Sequence, residues 1–317
     1  MRHHFTPPPP RLRSTRTFLA LFAAGAAMVS GCGGGGSSTA NEPVSFTAGV
    51  ERQFAAGRTE RLTVDGTSVI TRTGDGWTVT VDGNTVEFDE SDFGARRQDP
   101  SAYFKELDDE AFLLWSEEGE GFSSTGDKTE EFEYLDVYGF NSYDTVPDAD
   151  LATFERSDFT RSGFVYVVQG IPTADIPRSG TATYSGRTRA AEWRTDRAVF
   201  SGGATRYAGS IDMSATFGAD GSTVTGAFNF TRVRVPGGTV TDIPDGAGRV
   251  PFAFTATGNQ LSVTGASITE GRFAGYEQIG IRGALFGPEA DEVGGVFEGA
   301  NPDAGTVMHG YFAATKD

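Results

Sequence analysis

The chain has 317 residues, with 26 Lys and Arg against 43 Asp and Glu, a formal charge of −17, and 43 Gly, 25 Phe, three His and one Cys. That acidic balance argues against a protein that tracks nucleic-acid phosphates, which needs a basic stripe, and a single Cys excludes an intrachain disulfide and any Cys-rich metal site. Gly stands at about twice its usual share, yet no Gly-X-Y period runs through the chain and Phe is abundant, which leaves a globular, turn-rich protein of roughly two domains.

Arg2, Arg11, Arg13 and Arg16 precede an apolar run from Phe18 to Met28. The run is too short to span a bilayer, and a basic segment followed by such a run and small residues is the layout of a bacterial export signal. Val29-Ser30-Gly31 stand directly before Cys32 and resemble the lipobox of bacterial lipoproteins. This resemblance implies a lipoprotein signal peptide over residues 1–31 and a mature chain that begins at Cys32. There a diacylglyceryl group and a further acyl chain such as palmitate would anchor the protein to the membrane. An ordinary secretory signal with a stray thiol is the competing reading. Residues 32–43, with Gly33 to Ser38 as GGGGSS, read as lipidated Cys and flexible linker. Gly33 in place of Asp favours, by similarity to enterobacterial sorting, the outer membrane. Cleavage would remove four Arg and no acid, leaving a still more acidic surface that repels anionic lipid and attracts basic partners.

Residues 44–177 are expected to form a smaller β-rich domain. Leu62-Thr63-Val64, Val69-Ile70-Thr71, Trp77 to Val81 and Thr85 to Phe88 have strand character, with Asp65-Gly66, Asp75-Gly76 and Asp82-Gly83 as hairpin turns between them. Residues 99–110 are expected to be the one helix, with Asp99 as cap and Pro100 in the first turn. Phe112 to Trp115, Phe132 to Phe140 and Phe164 to Val168 resume as strands. The acidic run Glu106, Asp108, Asp109, Glu110, Glu117, Glu118 and Glu120 lacks the ordered ligand spacing of a calcium loop and reads as a solvated face.

Pro172 and Pro177 mark a stiff connection, after which strict alternation sets in: Ile211, Met213, Ala215 and Phe217 against Asp212, Ser214 and Thr216, then Val224, Phe228 and Phe230 against Thr225, Asn229 and Thr231. About eight strands follow over residues 178–317, expected near 180–193, 206–217, 222–233, 250–257, 260–269, 273–286, 292–299 and 306–315. The fold class is therefore all-β, a C-terminal eight-stranded antiparallel β-barrel preceded by a smaller β-rich handle, with Phe filling the barrel.

The segment Gly283 to Phe297, GALFGPEADEVGGVF, resembles the signature near the end of the barrel in transferrin-binding-protein-like surface lipoproteins, at Gly283, Phe286, Gly287, Pro288, Ala290, Glu292, Gly294, Gly295 and Phe297. Ser179 to Gly186, SGTATYSG, is similar to the family's opening barrel strand, and Val307 to Ala314 to its last. In physical terms Gly287-Pro288 turn the chain out of its strand, Gly294-Gly295 permit a sharp return, and Phe286 and Phe297 are expected to face the interior. Transferrin binders carry two handle-plus-barrel lobes and bind through the first. The length here suits one lobe, and no residue aligns to that binding surface.

No catalytic constellation is present. With residues 1–31 cleaved His309 is the last histidine, expected on the final strand with Val307 and Tyr311 on its face, packed or at the rim rather than a metal ligand. Adjacent carboxylates such as Asp291-Glu292 and Glu117-Glu118 point to opposite faces and cannot flank one bond. No metal, cofactor or enzymatic activity is assigned, and no ligand-binding residue. The favoured reading is an outer-membrane, surface-exposed recognition lipoprotein that takes a protein or solute partner, by resemblance in iron or solute acquisition, and passes it to an outer-membrane transporter. Its best candidate loops are 194–206 and 232–249, both carrying Arg. A lipocalin-like carrier of a small hydrophobic molecule, with Gly226 and Gly265 as small inward residues, and a structural or adhesive envelope protein are the alternatives.

Overall fold

The computed structural model describes residues 43–53, 58–62, 68–73, 76–81, 84–94, 102–107, 110–116, 132–145, 159–196, 203–219, 221–256, 258–266, 268 and 271–317. The signal segment, Cys32, the linker, Asp65-Gly66 and the acids Glu117, Glu118 and Glu120 lie outside them.

In chain order the strands are β1 (Val44–Gln53), β2 (Arg58–Leu62), β3 (Val69–Thr73), β4 (Gly76–Val81), β5 (Asn84–Phe88), β6 (Tyr103–Leu107), β7 (Glu110–Ser116), β8 (Leu135–Thr145) and β9 (Phe159–Gly170). They continue as β10 (Gly180–Arg194), β11 (Ala204–Phe217), β12 (Ser222–Arg234), β13 (Val240–Asp242), β14 (Arg249–Ala256), β15 (Gln260–Ala266), β16 (Glu277–Phe286), β17 (Glu292–Asn301) and β18 (Thr306–Lys316).

β3, β4 and β5 are an antiparallel meander whose registers, Thr73 with Gly76 and Val81 with Asn84, leave connections of the expected hairpin length. Gly76 opens β4 rather than completing a turn. A Cβ there would sit 2.1 Å from the Phe88 carbonyl oxygen, so only Gly permits that approach. Among the described residues of 99–110 the expected helix does not form. Tyr103 to Leu107 is strand β6, paired with β7 from Leu107 opposite Glu110, and Asp108 and Asp109 lie outside the described residues. Tertiary pairing overrides local propensity here, because an extended β6 buries Phe104 on one face and sets Tyr103 against the meander on the other.

β2, β1, β9, β8, β7 and β6 lie side by side in one six-stranded sheet. Its central strand shows why: in β9, Val165 and Val167 pack against Ile70, Val79, Val86 and Phe88 of the meander, while Phe164, Tyr166 and Val168 pack against the C-terminal sheet. A strand buried on both faces reads as a continuous apolar run, and FVYVV is that run.

The second half rolls up in the order β14, β12, β11, β10, β18, β17, β16, β15, with β13 folded onto β12. Ladders join neighbouring pairs throughout except β14 and β15, which lie side by side across a turn at Gly258 and Asn259 without a described ladder. Tyr184, Phe217, Phe228, Phe230, Phe273, Phe297 and Phe312 fill the interior, Phe228 lying 4.6 Å from Phe297 and 4.9 Å from Phe252 between ring centroids. The outer faces differ around the barrel. β11 keeps its wet alternation, Asp212 and Thr216 outward, whereas Val296, Val307, Tyr311 and Ala313 of β17 and β18 face the handle and share its core. Asn41–Asp317 accordingly pack as one compact unit.

Candidate binding surface

Where the handle leaves the barrel uncovered, strand register gathers basic side chains. β10 pairs Arg189 with Ala208 and Ala191 with Arg206; β11 pairs Ala208 with Arg232 and Arg206 with Arg234. Residues opposite one another across a ladder share a face, so Arg189, Arg206, Arg232 and Arg234 stand together on the outside of the barrel. With Tyr166 of the handle and Val240 of β13 they line an open concavity of about 40 Å³ that has no acidic residue in its lining. Asp242, opposite Arg232 in the β12–β13 ladder, is the acid nearest in register.

The positive band continues under the handle. Arg52 is 4 % exposed; its Nε donates to Ser162 Oγ at 2.9 Å and its guanidinium lies 4.5 Å from the Trp193 ring centroid. Burial first, and the like charge of Arg206 as well, push its pKa down to about 10 against an opposing influence of Tyr143. Arg187, two residues before Arg189 on β10, has all three guanidinium nitrogens shielded and without a hydrogen-bond partner among the described residues, with Phe132 5.1 Å away.

The two loops expected to carry recognition contribute unequally. In 194–206, Arg194 is taken up by Asp196 at 2.9 and 3.0 Å, Arg206 enters the concavity, and 197–202 lie outside the described residues. In 232–249 much of the expected open loop is structured: β13 pairs back on β12 and Ile243 is buried, because its side chain has the barrel mouth to cover. Arg189 and Tyr166 came from strands and were not foreseen; the alternation of β10 gives Arg189 its outward face, but nothing in the sequence brings Tyr166 beside it.

The signature segment is a structural bracket. Gly287 and Ala290 adopt φ of 81° and 55°, the left-handed region, and Tyr184 of the opening strand donates its hydroxyl to the Ala290 carbonyl at 2.9 Å, tying the two resembling segments together. Glu292 is buried and accepts from the backbone N–H groups of Glu133, Tyr134 and Leu135 at 2.6, 2.9 and 3.1 Å, fixing the start of β8 to the barrel. Burial raises its pKa against these three bonds. Gly283 and Gly295 face each other across β16 and β17, and a Cβ on Gly283 would meet the Gly294 oxygen at 2.3 Å. Phe297 faces the interior, but Phe286 points outward into the core shared with the handle, bridging to Pro172, since Leu285 takes the inward position beside it.

His309 sits where its strand placed it, with Val307 and Tyr311 in the shared core and Met308 and Phe312 inside the barrel. It is fully buried, 5.0 Å from Phe164 and 5.5 Å from Tyr166 between ring centroids, and neither ring nitrogen has a hydrogen-bond partner among the described residues. Burial, then the charge of Arg52, push its pKa down to about 3. Among the described residues no three His, Cys, Asp or Glu side chains are grouped to hold a metal ion.

The second half is a Phe-filled β-barrel with the handle sheet packed on its flank and a basic concavity beside the seam, an all-β scaffold. Residues 176–316 match the family model described as the C-lobe and N-lobe beta barrels of Tf-binding protein B. The second half of the chain is thus transferrin-binding-protein-like. Similar solved structures include a double mutant of transferrin-binding protein B from Haemophilus parasuis Hp5, at 13 % identity and TM-score 0.44 over 86 % of this chain and 45 % of that one. The apo haemoglobin receptor HpuA from Kingella denitrificans gives 14 % identity and TM-score 0.38 over 89 % and 90 %. The N-lobe domain of lactoferrin binding protein B of Moraxella bovis gives 15 % and 0.38 over 86 % and 99 %. The chain thus spans less than half the length of the first of these. A comparison with curated protein sequences returns no match.

Proposed function

We propose that this protein is a lipoprotein, acylated at Cys32 and held on the outer membrane with its folded part facing outward, that captures a protein partner and passes it or its cargo to an outer-membrane transporter. The match of residues 176–316 to the transferrin-binding barrel family carries this reading, and the transferrin, lactoferrin and haemoglobin binders among the similar structures suggest an iron-carrying protein as the partner class. The lipobox-like Val29-Ser30-Gly31-Cys32 supports the anchor. The domain reading kept with it is a handle over 44–177 and a barrel over 178–317. Packing of Phe228, Phe252, Phe297 and Phe312 inside the barrel, with Phe252 and Met213 occupying the space above Gly226, speaks against a lipocalin-like carrier. The surroundings of Gly265, the other small residue considered, are not among those described.

The test is capture by the mature lipidated protein on beads. Retention of transferrin, lactoferrin, haemoglobin or another iron-carrying protein from serum or tissue fluid is expected, and failure to retain any of them would overturn the reading. Growth with labelled palmitate should mark the wild type and leave Cys32→Ser unlabelled.

A further inference from the structure

We infer that the hollow over Ala227, on the outer face of the barrel, is a saccharide site that takes a neutral sugar ring by its hydroxyls; it adds a second site to the function proposed above and does not rest on it. Strand register makes the hollow. Ala227 of β12 lies between Asp212 of β11 and Pro251 of β14 in one cross-strand row, and Asn229 lies between Ser210 and Arg249 in the next. Residues opposite one another across a ladder share a face, so a methyl group is ringed by larger side chains. The dip they enclose, with Thr225 on a third side, is about 360 Å³. Asn229 Nδ2 donates to Asp212 Oδ2 at 2.6 Å, which holds amide and carboxylate side by side and leaves Oδ1 of both as acceptors. Arg249 is exposed, and its guanidinium has no hydrogen bond or ion pair among the described residues. Asp212 and Arg249 thus stand on one face without pairing, because two inter-strand spacings, roughly 10 Å, separate β11 from β14.

The rim selects the ligand. One carboxylate and one guanidinium cancel, so neither an anion nor a cation gains from the site as a whole. Acceptors stand on the Asp212–Asn229 side, donors on the Arg249 side, and the Thr225 hydroxyl is both. A sugar hydroxyl also donates and accepts, and hydroxyls on opposite edges of one ring reach the two sides that the charged groups cannot bridge by themselves. The Ala227 methyl and the exposed Pro251 face the ring's C–H groups. Phe252, the aromatic in the lining, is committed to the barrel interior against Phe228 at 4.9 Å, which leaves no broad apolar surface for a hydrophobic ligand. A volume of about 360 Å³ stands at the lower end of the roughly 300–1,000 Å³ range of small-molecule pockets, which suits a single ring unit. The ring can be a free sugar or part of a glycan on a partner.

The methyl glycosides of glucose, galactose, mannose and N-acetylglucosamine are the probes, each titrated into the mature protein by saturation-transfer NMR and calorimetry. Saturable binding of at least one is expected, little changed when sodium chloride is raised to roughly 0.5 M, since a neutral ligand is not screened. The double variant Asp212→Ala/Arg249→Ala, at two exposed positions, should keep the fold and bind roughly tenfold more weakly. Asn229→Ala should fall between, and Arg178→Ala, exposed and outside the hollow, should match the wild type. Failure of every glycoside to bind, binding abolished by salt, or equal binding by the double variant would overturn the site. Serum glycoproteins on beads, before and after enzymatic removal of their glycans, distinguish the sources: retention lost on deglycosylation assigns a partner-borne glycan, and glycoside binding without glycan-dependent retention assigns a free sugar. Capture of an iron-carrying protein without glycoside binding would sink only this inference, whereas glycoside binding without such capture would sink only the proposed function.

Discussion

At the scale of single residues, two buried polar groups set the pH behaviour. His309 is neutral in its apolar site, with a pKa pushed down to about 3 from an ordinary 6.5. Between those values the unfolded chain binds the proton and the folded chain does not, so stability is full above 6.5 and falls as pH drops through that window. At pH 5 the loss relative to pH 7.5 should be about 2 kcal/mol. His309→Phe, which keeps the ring and removes both nitrogens, should flatten that slope in melts from pH 5 to 7.5; an unchanged slope would reject the assignment. Glu292, raised by burial, has the opposite sign just above its ordinary 4.5, which is why the variant difference is the useful quantity. Glu292→Ala would strand three backbone donors at 133–135 and should cost on the order of 3 kcal/mol in urea denaturation, with Glu292→Gln costing less.

At the scale of elements, the barrel strands obey packing on one side and contact with the handle on the other. Phe228 touches four aromatic neighbours, Phe230, Phe252, Phe297 and Phe312, so Phe228→Ala should lose about 3–5 kcal/mol in chemical denaturation. Gly283→Ala forces a methyl onto the Gly294 backbone and should lower the melting temperature clearly, because strand backbone cannot yield as a side chain can. The period-two pattern made most barrel strands legible: 206–217 and 222–233 were placed within a residue or two of β11 and β12. Cap and first-turn signals at Asp99 and Pro100 misread Tyr103 to Leu107, whose local composition permits a helix and whose strand form depends on pairing with β7, a partner that local signals do not see.

For the whole molecule, the handle and barrel share a core through Phe164, Tyr166, Trp193, Phe286, Tyr311 and His309. Residues 41–317 should therefore unfold in one calorimetric transition, and a barrel fragment beginning at residue 178 should expose that flank and bind a hydrophobic dye; two separate transitions would contradict the shared core. Alternation, the Gly and Pro of Gly283 to Phe297 and the lipobox-like Cys32 were enough, from the amino acids alone, to establish an all-β chain with a barrel-type second half and to suggest its export. Three things waited on tertiary structure: the outward turn of Phe286, the burial of both faces of β9, and the meeting of arginines from β10, β11 and β12 beside Tyr166. The reason is geometric: alternation states which face a side chain takes, but the register and the covering sheet decide what that face meets.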